Sequence, residues 1–466
     1  MILYNTRTRK KETFKPLNGK TARVYSCGPT VYYSAHIGNM RAYIFTDILK
    51  KAIEMDGWKL FDVMNITDVG HLVTDADDGE DKIEKSAKAL KITPQEIAAK
   101  YTAEFLADCD KLNIRRTKVL CPATEHINEM IQFVKTLEQK GLTYTTSDGV
   151  YFDASKFKDY FALSGAVLEG NKGGVRVDIG EKRNANDFAL WKFCGPEVIQ
   201  KWPSPWGVGC PGWHIECSAM ALKYLGETFD IHTGGIDAIP IHHTNEIAQT
   251  ESLTGKRMCE FWCHNEFMTV DNGKMSKSLG NTYTLTQLSE KGFSPMDFRY
   301  FVLLGRYRTI LNFTFEGLRA AQNAYRNLIE ILAKHKQSNT KLDANKTKVY
   351  YEDFKTEIFD DLNTPKAIAV MWQAVKESFS CDIYDLVIKM DAVLSLGISD
   401  SVSKYLQKAD SIKEVHMPAL VKTLAEKRLQ AKKQKDFTTA DKIRDEIGVL
   451  GYEIIDTKEG YTISRR

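Results

Sequence analysis

The stretch from residue 20 to 65 constrains the fold most, because it reads as a strand, a loop, a helix and a second strand. Thr21 to Cys27 is a short β-rich run, broken by Gly28-Pro29. From Gly38 onward Ala42, Phe45, Ile48, Leu49 and Ala52 recur at helical spacing, and Gly57 ends the run. Leu60 to Met64 reads as a second buried strand. A βαβ unit of this kind predicts a parallel sheet.

Residues 115–195 differ in kind. They hold a helix over 125–140, a hairpin around Ser147-Asp148-Gly149 and the turn Gly170-Asn171-Lys172-Gly173-Gly174. This stretch reads as an insertion between two halves, 1–114 and 196–309, of one doubly wound α/β domain. Strand–helix alternation resumes with a helix after Gly212, a strand over 228–232, a helix after His243 and a strand over 261–270. Long amphipathic helices over 310–400 predict a helical bundle. The last part, 401–466, predicts helices over 417–435 and 438–450 and a β finish over 452–463, a small α+β module.

The chain has 466 residues, enough for several cores, and no run of apolar residues long enough to span a membrane. Its basic N-terminus lacks the apolar stretch of a secretory signal, so a cytoplasmic protein is expected. Nine cysteines, an odd number, argue against a disulfide framework. The net charge is +3, but residues 401–466 carry fourteen Lys/Arg against ten Asp/Glu. That excess fits a polyanionic partner, and equally a solvated lysine-rich face.

Two short segments point to chemistry. His36-Ile37-Gly38-Asn39 lies where the first loop enters the first helix, and Lys274-Met275-Ser276-Lys277-Ser278 lies in a polar loop flanked by Gly273 and Gly280. GxxxxGK[ST] and a GxGxxG turn after the first strand are both absent. A helix N-terminus still attracts phosphate through free N–H groups and its dipole. Gly38 would let a nucleoside lie against the backbone, His36 can donate to phosphate oxygens, and Lys274 and Lys277 can reach the β- and γ-phosphates as mobile charges. Singly, each segment also reads blandly, as a helix cap and a solvated loop. A third constellation is Cys27, Cys217, His242 and Glu246, with His242 and Glu246 four apart on one helix face. Thiolate, imidazole and carboxylate are ordinary zinc ligands, but two buried cysteines and a capping histidine would look the same.

Together the HIGH-like and KMSKS segments, in this order and split by an insertion, resemble the class I aminoacyl-tRNA synthetases. CGPTVYYSAHIG, NITDVGHL, KRNANDFALWK, WPSPWG, GWHIECSAM, DIHTGGID and HHTNEIAQ resemble the cysteinyl-tRNA synthetase family, over nearly the whole chain. DFTTADKIRDEIGVLGYEIIDTKEG resembles that family's C-terminal anticodon module.

The resemblance implies a Rossmann-type catalytic domain, with 115–195 as an inserted connective domain and 401–466 as an anticodon-binding module. It implies ATP-dependent ligation of L-cysteine to tRNA(Cys), with release of AMP and pyrophosphate. It also implies one zinc ion per chain on Cys27, Cys217, His242 and Glu246, and Mg2+ with ATP. His36, Gly38, Asn39, Gly234, Gly235, Asp237, Lys274 and Lys277 match its ATP site, with His36, Lys274 and Lys277 catalytic. Cys27, Thr67 and Trp213 match its cysteine pocket. A monomer is expected. Asn39 stands where the motif has a second histidine, and Thr244 where HHENE has a glutamate.

Two other functions are weighed. A ligase joining the same adenylate to a small amine would lack the anticodon module, and Lys432, Lys433, Lys435, Lys442 and Arg444 favour tRNA. A non-catalytic tRNA-binding descendant would rest on Asn39 alone.

Overall fold

The computed structural model describes residues 1–70, 82–165, 181–276, 279–414, 418–457 and 460–465. The β-rich run TARVYS forms strand β1 (Thr21–Ser26). His36 caps helix α1 (Ile37–Met55), which buries Ile37, Met40, Ile44, Ile48, Leu49 and Ala52. The chain returns as β2 (Lys59–Ile66), parallel to β1 with Thr21 opposite Lys59 and Ser26 opposite Met64.

Strand β3 (Val119–Pro122) then pairs parallel with β2. The boundary expected at residue 115 therefore falls ahead of a strand of the central sheet. A strand of four residues that runs at once into a helix leaves too short a β signal for the sequence to set it apart from the insertion. Helix Ile127–Gln139 likewise packs on the second half of the domain.

That second half supplies α2 (Trp213–Leu225), β4 (Phe229–Gly235), α3 (Thr244–Thr254) and β5 (Cys259–Asn265). The sheet runs β5-β4-β1-β2-β3, and every pair is parallel. This is the doubly wound α/β architecture the alternation predicts. Its core includes Val63, Phe229, Ile215, Trp191 and Trp262.

Between the halves, Thr143–Thr145, Gly149–Phe152, Phe188–Phe193 and Gly209–Pro211 form a four-stranded antiparallel sheet. The turn at 170–174 lies outside the described residues. The strand expected over 261–270 is instead two, β5 and Met268–Val270, which belong to different sheets. The break falls at Glu266 and Phe267, whose carbonyls turn to accept from Arg41. Met268–Val270 pairs antiparallel with Gly273–Lys274 and parallel with Leu311–Phe313.

Two compact units are present, Met1–Leu328 with His335–Gly397, and Ile329–Lys334 with Ile398–Arg466. In the first, helices Ala344–Phe359, Thr364–Val375 and Cys381–Leu394 pack on one another. In the second, helices Ala419–Lys433 and Phe437–Val449 pack together over the antiparallel hairpin Tyr452–Thr457 and Gly460–Arg465. Val421, Ala425, Ile443, Ile447, Tyr452 and Ile454 form its core. No helix among the described residues is long and apolar enough to cross a membrane.

Candidate active site

Strand β1 is flanked by β4 on one side and β2 on the other, so the connections diverge there. In such sheets the crevice at the carboxyl ends of the strands is where ligands bind. A cavity of about 810 Å³ opens at that place. Cys27, just past β1, lines it with Thr67, past β2, and Gly234, Gly235 and Asp237, at and beyond the end of β4. His36, Gly38 and Asn39 at the start of α1, Trp213 and Cys217 on α2, and His242 and Lys274 complete the expected set on its wall. Glu246 is fully buried in α3, behind that wall. Lys277 lies outside the described residues.

Ile239–His243 coils as a wide π-type turn before α3, and both of its adjacent histidines are buried. Insertions of this kind recur at functional sites because they re-aim side chains. Here the turn brings His242 to Glu246. Cys27, Cys217, His242 and Glu246 place two thiols, an imidazole and a carboxylate within 4.8 Å of one another, and Cys27, His232, His243 and Glu246 place one thiol, two imidazoles and the same carboxylate as close. Glu246 stands between the two groups. Its Oε2 accepts from His232 Nε2 at 3.0 Å, and its Oε1 lies 3.0 Å from His242 Nε2 without making a hydrogen bond.

The electrostatics of this cluster ask for a cation. Hydrogen bonding with Cys27, then burial and the charge of Glu246, push the Cys217 thiol well above its ordinary pKa. Burial opposes a charged His242, yet Glu246 and Cys217 lift its pKa to about 10. Burial also opposes a charged Glu246, yet His232 and His242 hold it down at about 2. The buried carboxylate thus draws positive charge to itself. A soft divalent ion bound by thiolate, imidazole and carboxylate would satisfy all of them, and the donor set fits zinc.

Sequence reasoning did not single out the imidazoles around this group. His243 Nε2 lies 3.3 Å from Cys27 Sγ, and His243 Nδ1 lies 2.7 Å from His264 Nε2. His264 Nδ1 meets Thr6 Oγ1 at 2.8 Å, and His214 Nδ1 meets His242 Nδ1 at 3.0 Å. Burial first, then the neighbouring imidazoles, drive His243 well below its usual pKa, and His264 is lowered to about 3. Both are neutral near pH 7. The signal that could have found them is a histidine near the carboxyl end of a parallel strand, as in DIHTGGID. Gly234 is explained here as well: a Cβ on it would sit 2.5 Å from His243 Cε1, so glycine makes room for the ring. On the other side of the group, Trp213 covers His242 with ring centroids 4.6 Å apart. Thr67 Oγ1 donates to Glu216 Oε2 at 3.2 Å and accepts from Asn65 Nδ2 at 3.0 Å.

The signature segments are held by local geometry. The His36 Nδ1 accepts from the Asn39 N–H at 3.2 Å, while Asn39 Oδ1 accepts from the His36 N–H at 3.1 Å. This reciprocal cap leaves the proton of a neutral His36 on Nε2. Asn39 is thus a partner that orients His36. Lys274 sits on a hairpin whose two-residue turn, Asp271-Asn272, has both residues at positive φ, as a type I′ turn requires. Asn281 steadies the segment beyond, accepting from Ser276 N and donating to Lys274 O.

A family model described as "tRNA synthetases class I (C) catalytic domain" matches residues 13–323. A solved Mycobacterium tuberculosis methionyl-tRNA synthetase, bound by methionyl-adenylate, shares the fold with a TM-score of 0.57. It is 13% identical and covers 82% of this chain and 92% of its own. The catalytic unit is that of a class I tRNA synthetase. The cysteine–tRNA ligase of Treponema denticola is 42% identical over 99% of this chain and 98% of its own length. Cysteine–tRNA ligase 1 of Burkholderia lata is 41% identical over 99% and 96%. The chain belongs to the cysteine–tRNA ligase family and is a ligase.

Proposed function

We propose that the chain activates L-cysteine with ATP and transfers it to the 3′ end of tRNA(Cys). The cysteine carboxylate attacks the α-phosphorus, forming cysteinyl-adenylate as the bond to pyrophosphate breaks. The terminal ribose hydroxyl of tRNA then attacks the carbonyl and releases AMP. One observation carries this reading: the thiol–imidazole group and both signature segments line a single cavity.

His36 donates through Nε2–H to the phosphate oxygens, and the N-terminus of α1 adds its dipole. Lys274 and Lys277 neutralise the charge that gathers on the departing pyrophosphate, and Mg2+ accompanies ATP. Gly38, Asn39, Gly234, Gly235 and Asp237 shape the ATP side of the cavity, and Thr67 and Trp213 the cysteine side.

Cys27, Cys217, His242 and Glu246 would hold one zinc ion. Three of these four line the cavity, whereas His232 and His243 of the alternative group are fully buried, which supports the first set. When bound, zinc supplies a borderline-soft Lewis acid that favours a thiolate over a hydroxyl or a methyl group. His232 orients Glu246, and the neutral His243–His264 pair keeps Cys27 in place without adding charge.

Residues 401–466 act as the anticodon-binding module of a cytoplasmic monomer. Among its basic residues, Lys432 is engaged with Asp456 at 2.6 Å, while Lys433, Lys435 and Lys442 are exposed. Purified protein should charge tRNA(Cys) with labelled cysteine and should form adenylate and pyrophosphate without tRNA. Charging that proceeds with no trappable adenylate would refute the two-step reading.

A further inference from the structure

Arg41 lies on α1, two residues beyond Asn39, and is 2% exposed. Among the described residues its guanidinium bonds no carboxylate. Instead it donates to five backbone carbonyls: Glu266 and Phe267 through Nη1, and Arg306, Tyr307 and Thr309 through Nη2. The two Nη groups bring four N–H donors in one plane to five carbonyls, two of which share one hydrogen of Nη2, an arrangement that lysine cannot reproduce. Burial lowers its pKa to about 10, partly countered by Glu266, so the group stays charged at neutral pH and needs every one of those dipoles.

The five carbonyls belong to two segments that are also bonded to each other. The Glu266 N–H donates to Tyr307 O at 2.8 Å, and the Leu311 N–H donates to Phe267 O at 3.1 Å. Immediately beyond, the two segments become the paired strands Met268–Val270 and Leu311–Phe313. Met268–Val270 is the strand against which Gly273–Lys274 folds back. Glu266, Phe267 and Ile310 themselves line the cavity. Arg41 therefore clamps the root of the hairpin bearing Lys274 to the helix whose first turn bears His36 and Gly38.

From this we infer that Arg41 is a positioning residue for the activation step: it sets the distance between the two signature segments without touching substrate. The inference rests on the reading of those segments as the ATP site. Both act on the phosphorus transition state, so a loosened clamp lowers turnover more than it weakens binding. Cysteine, selected at the thiol-rich group, should not sense the change.

The test is cysteine-dependent ATP–pyrophosphate exchange by the full-length protein, its Arg41→Lys and its Arg41→Gln variants. Active sites are counted in each preparation by the pyrophosphate burst. Turnover per active site should fall about 10- to 100-fold in both variants, the cost of a small misplacement of reacting groups. The KM for cysteine should stay at the wild-type value. Arg41→Lys keeps the charge and three donors, and it alone decides if Arg41→Gln does not fold. Variants that lose burst amplitude but turn over at the wild-type rate per site, or that both fail to fold, show a core residue and overturn the proposal. Wild-type protein without cysteine-dependent exchange would overturn the ATP-site reading along with it, whereas exchange unaltered by the variants overturns this inference alone.

Discussion

Gly38 and Met275 are packed so closely that a Cβ on the glycine would lie 3.2 Å from the methionine sulfur. The same Cβ would stand 3.1 Å from both Cε1 and Nδ1 of His36. The two signature segments, far apart in the chain, thus share one contact, and any side chain at 38 must move one of them. Met275 is flexible, whereas the His36 ring is held by its reciprocal bond with Asn39.

Gly38→Ala should therefore displace the ring or the loop and lower turnover in ATP–pyrophosphate exchange by about 10- to 100-fold. The protein should remain folded, since the first turn of α1 tolerates alanine. An alanine variant exchanging at the wild-type rate would mean that the two segments do not act together.

The thiol–imidazole group predicts one zinc ion per chain in protein purified without chelator. Cys217→Ser replaces a soft ligand by a poor one and should cut cysteine-dependent exchange by about 10²-fold or more, a loss at least as large as outer-shell changes cause. Zinc content should fall in parallel. Full activity in a zinc-free Cys217→Ser protein would assign Cys217 to the core alone.

Stability should respond to Asp47, buried on α1. It accepts from Arg299 Nη2 at 2.6 Å, from Lys51 at 2.6 Å and from the Arg115 N–H at 3.0 Å. Burial opposes its charge, but Arg299, Lys51 and the Arg115 bond outweigh it and lower the pKa. A carboxyl whose pKa is depressed on folding stabilises the fold above its unfolded value, about 4, and loses that contribution as pH falls through the folded value. Asp47→Ala should cost about 3–5 kcal/mol at pH 7, because Arg299 is left buried without its charge partner. The gap between the two proteins in urea unfolding should begin to narrow as pH falls below ~4 and should close only below the depressed folded-state value. A gap that persists undiminished at lower pH would trace the loss to packing.

What can be read from sequence depends on which features leave a trace in residue type and spacing. The βαβ unit shows because apolar spacing changes from strand to helix within 20–65, whereas Cys27, Cys217 and His242, three among nine cysteines and ten histidines, stand out only through the segments that resemble a known family. β3 does not show, being four residues long. The break at Glu266-Phe267 and the role of Arg41 do not show either, since the arginine's partners are backbone carbonyls that any residue provides. The imidazole shell around Glu246 escapes for another reason: His232 and His264 come from two strands that only the sheet order makes neighbours.

The C-terminal unit predicts a salt-sensitive tRNA interaction. Arg428 and Lys432 both bond Asp456, whereas Lys433, Lys435 and Lys442 are among the exposed basic residues that can meet phosphate. Alanine at these three should weaken tRNA(Cys) binding and flatten the dependence of log affinity on log salt by about one per lost phosphate contact. Cysteine-dependent exchange without tRNA should be untouched. An unchanged salt slope would move the tRNA surface elsewhere.

Selection of cysteine by this cavity is measured by ATP–pyrophosphate exchange with each of the twenty amino acids in turn. A site organised around one strong bond to sulfur should support exchange with cysteine and discriminate against serine and alanine by about 10⁴–10⁵. Exchange with serine or alanine at a rate comparable to cysteine, or stronger exchange with any other amino acid, would contradict it.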